Sequence, residues 1–76
     1  MGYEFTLVLD RVPSDDDLDA LFNAGCADAI FEIASGDSCG HFIRKAASLT
    51  AAISSAVHDV ETAGLRTVEV RRDEIG

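Results

Sequence analysis

Residues 3–9, YEFTLVL, place Tyr3, Phe5, Leu7 and Leu9 on one side of an extended chain and Glu4, Thr6 and Val8 on the other. This period of two predicts a strand with one strongly apolar face, and Val8 implies that its second face is partly covered near the end. The pattern then changes period. In SDDDLDALFNAG, Leu18, Leu21 and Phe22 recur at helical spacing behind Ser14, which can cap a helix and form a capping box with Asp17. Asp15, Asp16 and Asp17 occupy the first turn, where the positive end of the helix dipole favours carboxylates. Gly25 supplies a left-handed stop. Residues 29–34, AIFEIA, return to alternation, with Ala29, Phe31 and Ile33 on one face.

The stretch GDSCG, residues 36–40, has turn composition and reads as a hairpin loop with Cys39 at its tip. Residues 41–46, HFIRKA, then form a third strand beginning at His41. In residues 48–64, Leu49, Ala52, Ile53, Ala56, Val57 and Val60 make one continuous helical stripe, with Ser48 as N-cap and Gly64 as stop. Its alanines let the helix lie close on a sheet. Residues 65–70, LRTVEV, are the fourth strand.

The order strand, helix, strand, strand, helix, strand predicts an α+β fold. Its simplest closure is a ferredoxin-like βαββαβ sandwich, a four-stranded antiparallel sheet with two helices on one face. NAGCADAIFEI and ETAGLRTVEV echo each other across the two halves. With 76 residues and no linker or low-complexity run, residues 1–76 form a single domain.

Charge narrows the partners. Fourteen acidic against six basic residues give a formal net charge of −8. Nucleic-acid binding draws on Lys and Arg neutralising phosphates, and the basic pair Arg71-Arg72 is followed at once by Asp73 and Glu74. Direct nucleic-acid binding by this segment is therefore not expected, nor is an anionic membrane surface. A basic protein partner fits better. No apolar run reaches the roughly 18–20 residues of a membrane span, and MGYEFTLVLD lacks the basic region and cleavage site of a signal peptide. The cytoplasm is the expected compartment, which favours free thiols at Cys26 and Cys39.

Candidate chemistry is sparse. Cys39 and His41 lie two apart, hence on one face of a strand. With Cys26 and a carboxylate they form a minority zinc candidate, but no CxxC or HxxxH pair anchors it. Cys39 and His41 as a nucleophile pair lack an identifiable residue to orient the imidazole. Cys26 follows the helix-ending glycine and reads as a buried core thiol. Consecutive carboxylates on a helix diverge by about 100°, so Asp15–Asp17 read as capping rather than as a cation site. His58 falls on the wet side of the second helix. Asp28 is expected to fix the turn before strand two by bonding to backbone. Arg44, at a strand end in an acidic chain, is expected to pair with a local Asp or Glu rather than bind a free anion. No catalytic set, cofactor site or firm metal site emerges.

Several phrases are similar to those of a group of small, poorly characterised bacterial proteins. They are Gly25-Cys26-Ala27-Asp28-Ala29, Phe42-Ile43-Arg44-Lys45-Ala46, Ala52-Ile53-Ser54-Ser55-Ala56 and Val60-Glu61-Thr62-Ala63-Gly64. The likeness covers most of residues 3–72. In that group the domain usually continues into an excisionase-type helix-turn-helix. The resemblance implies the sensing, pairing or partner-binding half of a DNA-binding regulator, or a stand-alone relative, and it supplies no catalytic residues.

The expected function is thus a non-enzymatic protein-interaction or regulatory module, self-associating or holding a protein partner. Such a sheet leaves its edge strands exposed, and strand four, with Val68, Val70 and Arg71, or strand two is the natural edge. The alternatives are an antitoxin-like or inhibitor protein that covers a basic partner, and a sensor of a small ligand or metal.

Overall fold

The computed structural model describes residues 2–34 and 36–72. Four strands, β1 (Gly2–Leu9), β2 (Ala29–Ala34), β3 (Asp37–Lys45) and β4 (Thr67–Arg71), form one antiparallel sheet in the order β2-β3-β1-β4. Helix α1 (Asp15–Ala24) joins β1 to β2 through a short 3₁₀ turn at Cys26–Asp28, and α2 (Leu49–Thr62) joins β3 to β4. This is the α+β architecture that the alternating and helical periods predict.

Both helices begin where their caps dictate. The Ser14 hydroxyl accepts the Asp17 N–H at 3.1 Å, and the Asp17 carboxylate accepts the Ser14 N–H at 3.0 Å, a complete capping box. The Ser48 hydroxyl accepts the Ala51 N–H at 3.1 Å. Asp15, Asp16 and Asp17 thus occupy a capped first turn. At the other ends, Gly25 adopts φ 120° and Gly64 φ 93°, conformations that favour glycine.

One apolar cluster forms the core. Phe5, Leu7 and Leu9 of β1 and Phe42 of β3 meet Leu21 of α1 and Ala52, Ala56 and Val60 of α2, so both helices cover the same sheet face. The Phe5 and Phe42 rings stack at 5.4 Å, and Phe31 meets Phe42 edge-on at 6.0 Å. The α2 stripe packs as its spacing predicts, with Leu49, Ile53 and Val57 half-buried at its margin. In α1 only Leu21 is buried; Leu18 and Phe22 remain 38% and 66% exposed, although they share its spacing.

Two boundaries differ from the sequence pattern. β4 spans Thr67–Arg71 rather than 65–70, and Leu65 is buried in the core ahead of it. The larger correction concerns residues 36–40. Gly36 belongs to the turn, at φ 81°, whereas Asp37 to Gly40 are already in β3: Asp37 pairs with Ala34 of β2, and Ser38, Cys39 and Gly40 pair with both β1 and β2. Gly40 is there for space rather than for a turn. A Cβ on it would lie 2.7 Å from Cε1 of Phe31 and 3.2 Å from Cε1 of Phe42. Glycine within a strand often marks such a close approach.

Candidate functional site

The residues singled out in the sequence are dispersed. Cys39 is not at a loop tip: it stands in β3 between Val8 of β1 and Glu32 of β2 and is 2% exposed. Its thiol points to the Asp37 carbonyl, Sγ to O 3.8 Å. Val8 pairs with Cys39, so this thiol lies on the sheet face opposite Phe5 and Leu7. Cys26 lies in the helix-side core, where burial pushes its thiol up to about 11. Both cysteines are free, and the sheet separates them. Among the described residues no three His, Cys, Asp or Glu side chains converge as a metal site. His58 is exposed on α2.

His41 does acquire the orienting partner that its sequence context hid. Its Nε2 lies 2.7 Å from Oε1 of Glu32, and its Nδ1 lies 2.9 Å from the Thr6 hydroxyl. An ionised carboxylate only accepts, so Nε2 donates to Glu32; with the ring in that tautomer Nδ1 accepts a hydrogen bond from the Thr6 hydroxyl. Acid, imidazole and hydroxyl therefore run in the order of a nucleophile relay. The hydroxyl at its end is unsuited to attack, because Thr6 is 5% exposed. Thr6 and His41 line neither the groove beside β2 nor the depression along α2. The three residues tie β2, β3 and β1 together across the helix-free face.

Arg71 does similar work on that face. Its guanidinium pairs with Glu69 beside it and reaches Asp37 at 3.2 Å. Asp37 is in β3 and Arg71 in β4, so the side chain crosses β1, the strand between them. It lies on the face that holds Val8, and Val8 is 5% exposed. Arg71 is thus occupied by its own chain.

The most heavily engaged polar residue is Arg44. Its five N–H groups meet five acceptors. Nε and Nη2 hold the two oxygens of Asp28 at 2.7 and 2.9 Å, and Nη2 also reaches the Gly25 carbonyl at 2.9 Å. Nη1 donates to Ser55 at 3.1 Å and to Asp59 at 3.0 Å. The guanidinium carbon stands 5.3 Å from the Phe42 ring centroid. Arg44 therefore joins the 3₁₀ turn, β3 and α2, and it leaves no donor for an outside anion. Asp28 spends its carboxylate on Arg44 rather than chiefly on the local backbone, and these bonds hold its carboxyl below the ordinary range. Gly25 makes room: a Cβ there would come within 2.9 Å of Oδ2 of Asp59.

Of the large apolar side chains left exposed among the described residues, four lie on the two edge strands, and the others are Ile43 of β3 and Val12, Leu18 and Phe22 in or before α1. On β4, Val68 and Val70 are 60% and 41% exposed. On β2, Ile30 and Ile33 are 71% and 61% exposed. Beside β2, a groove of about 190 Å³ is lined by Val12, Pro13, Leu18, Phe31, Ile33 and Ser38, with Glu32 at its edge. A wider depression of about 410 Å³ runs along α2 past Ile53, Val57 and His58.

Comparison of the chain with family models, curated proteins and solved structures finds no match. The site must be judged on its own geometry. That geometry joins polar groups to one another and leaves apolar side chains and strand edges facing outward. Reading along the chain pairs Cys39 with His41, two residues away. The true neighbours of His41 are Glu32 and Thr6, nine and thirty-five residues away, and only the strand register identifies them.

Proposed function

We propose that this chain is a non-catalytic protein-interaction module that works through a sheet edge. The observation that carries this reading is the contrast between its polar and apolar groups. Arg44, Arg71 and His41 are each engaged within the chain, whereas Ile30, Ile33 and Val68 are more than half exposed along the two outer strands. Among the described residues, β2 and β4 each have a strand on one side only. Such edges are templates for strand addition.

A ferredoxin-like βαββαβ topology is part of this proposal. The order β2-β3-β1-β4 supports it, with antiparallel neighbours and one helix in each crossover. A regulatory role, of the kind the sequence resemblance implies, is the biological form of the proposal. No described helix is long and apolar enough to cross a membrane. Sedimentation velocity on the purified chain, with affinity capture and identification of what it holds, tests the reading. A self-associating chain or one saturable protein partner is the expected result. A strict monomer that holds no protein would sink it.

A further inference from the structure

The two edges are not equivalent. In β4 the pairing with β1 shifts register between Val8 and Leu9, and its outward residues include the ion-paired Glu69 and Arg71. Bulges and charges are the usual devices that blunt an edge. β2 has neither device. Its six residues, AIFEIA, pair with β3 in unbroken register, and they include no Pro and no Lys. Its one charge, Glu32, is bonded back to His41. The groove lined by Leu18, Phe31 and Ile33 lies beside this unblunted edge, and the exposed Phe22 is on the same helix as Leu18.

The charge around the groove selects the occupant. Leu18 sits among Asp15, Asp16 and Asp19, all exposed at the start of α1. The nearby cation, Arg11, is held by Asp10 and Asp17. A second copy of this chain brought edge to edge would add another −8 charge and another acidic helix start. A basic partner gains where a second copy is repelled.

We infer that β2 docks an extended segment of a basic protein, added as a fifth strand. Its apolar side chains enter the groove beside Leu18, Phe31 and Ile33 on the helix-covered face, and its Lys or Arg residues lie on the opposite face beside Glu32, with the acidic start of α1 adding longer-range attraction. Main-chain hydrogen bonds to β2 supply the register. Alternation along a strand puts the two kinds of side chain on opposite faces. This rests on the interaction-module reading and specifies its edge and its partner.

The probe is a fluorescent peptide alternating Lys and Val over about seven residues, enough to span β2 at ~3.3 Å per residue. A Glu–Val peptide is its control. The Lys–Val peptide should bind with a Kd below about 100 μM, at least about tenfold tighter than its control, and weaken as salt is raised. Ile33→Lys should weaken binding about tenfold or more, and the matched edge change Val68→Lys should leave it unaltered. Both positions are more than half exposed, so both variants are expected to fold. Sensitivity to Val68→Lys but not to Ile33→Lys overturns this inference in favour of β4. So does a chain that dimerises and returns to monomer with Ile33→Lys, which makes a second copy the occupant. Either result leaves the interaction module standing. Failure of the Lys–Val peptide to bind overturns the inference; a monomer that also captures no protein removes the module reading as well.

Discussion

Arg44 grips Asp28 with both arms of its guanidinium, Nε to Oδ2 at 2.7 Å and Nη2 to Oδ1 at 2.9 Å, and thereby fastens the turn after α1 to the third strand. The same guanidinium holds Asp59 on α2, so one side chain joins three elements that hydrophobic contact alone would let slide. Removing it leaves two partly buried carboxylates without their cation. A fully buried pair broken this way costs about 3–5 kcal/mol. Asp28 and Asp59 keep 30% and 22% of their side chains exposed, which reduces the figure. Arg44→Met should cost about 2–3 kcal/mol, seen as a fall in melting temperature of roughly 10–20 °C for a domain this size. Arg44→Lys should be intermediate, since an ammonium cannot form the bidentate fork. A loss below about 0.5 kcal/mol for Arg44→Met would show that the network is ornamental.

The same pair sets an acid limit on stability. Hydrogen bonds from Arg44, opposed by burial, lower the Asp28 carboxyl from its ordinary value. A depressed folded value means that the stabilisation is complete above the unfolded value of about 3.9 and is lost as pH falls through the lower, folded one. Arg44 is shifted upward, so its share is complete below the ordinary guanidinium range and is lost only in strong alkali. Urea midpoints should therefore hold steady from about pH 8 to 5 as far as this pair is concerned and drop below about pH 4. Asp28→Asn should lower the plateau and flatten the drop. An unchanged slope in that variant would assign the acid transition to other carboxylates.

How much of this could be read along the chain depends on the range of each interaction. The capping box of Ser14 and Asp17 spans three residues, and the stripe from Leu49 to Val60 repeats within one helix, so both follow from local spacing. The β3 boundary does not. Gly40 has the composition of a turn, but its place in the strand is decided by the Phe31 ring, which arrives from another strand. Likewise, Asp28 and Asp59 are sixteen and fifteen residues from Arg44, and nothing in the periodicity marks Gly25 as the residue that leaves room for the Asp59 carboxylate. Leu18 and Phe22 are the instructive excess: their helical spacing predicts a buried stripe, yet only Leu21 reaches the core.

Gly40 provides a direct test of that close approach. A methyl group there meets Phe31 at 2.7 Å, nearer than non-bonded carbons tolerate. Gly40→Ala should destabilise by about 1–3 kcal/mol, the usual range for overpacking a filled core. Phe31→Leu, which removes the offending ring edge, should recover part of that loss when combined with Gly40→Ala. The double-mutant cycle should show a coupling of at least about 0.5 kcal/mol. Strict additivity would mean that the strand, rather than the ring, yields to the added methyl.

The thiols supply the last expectation, and it separates a structural reading of Cys26 and Cys39 from a metal-binding or reactive one. Each is 2% exposed, one in the helix-side core and the other beneath the opposite face beside Val8. Burial, aided by the charge of Asp59, also raises the Cys26 thiol to about 11, so it is protonated in the fold at neutral pH. The thiolate is the reactive and metal-binding form. A raised folded value makes the thiol form the one that the fold favours. Stability is therefore unaffected by Cys26 below its unfolded value near 8.5 and declines as pH climbs toward 11. Native protein at neutral pH should leave an aromatic disulfide reagent unreduced, and both thiols should appear together once urea unfolds the chain. Cys39→Ala should cost about 1 kcal/mol as a small cavity, and added zinc should not shift the melting temperature. Rapid reaction of one thiol in the native state, or zinc stabilisation abolished by Cys39→Ala, would restore the site reading for Cys39 and His41.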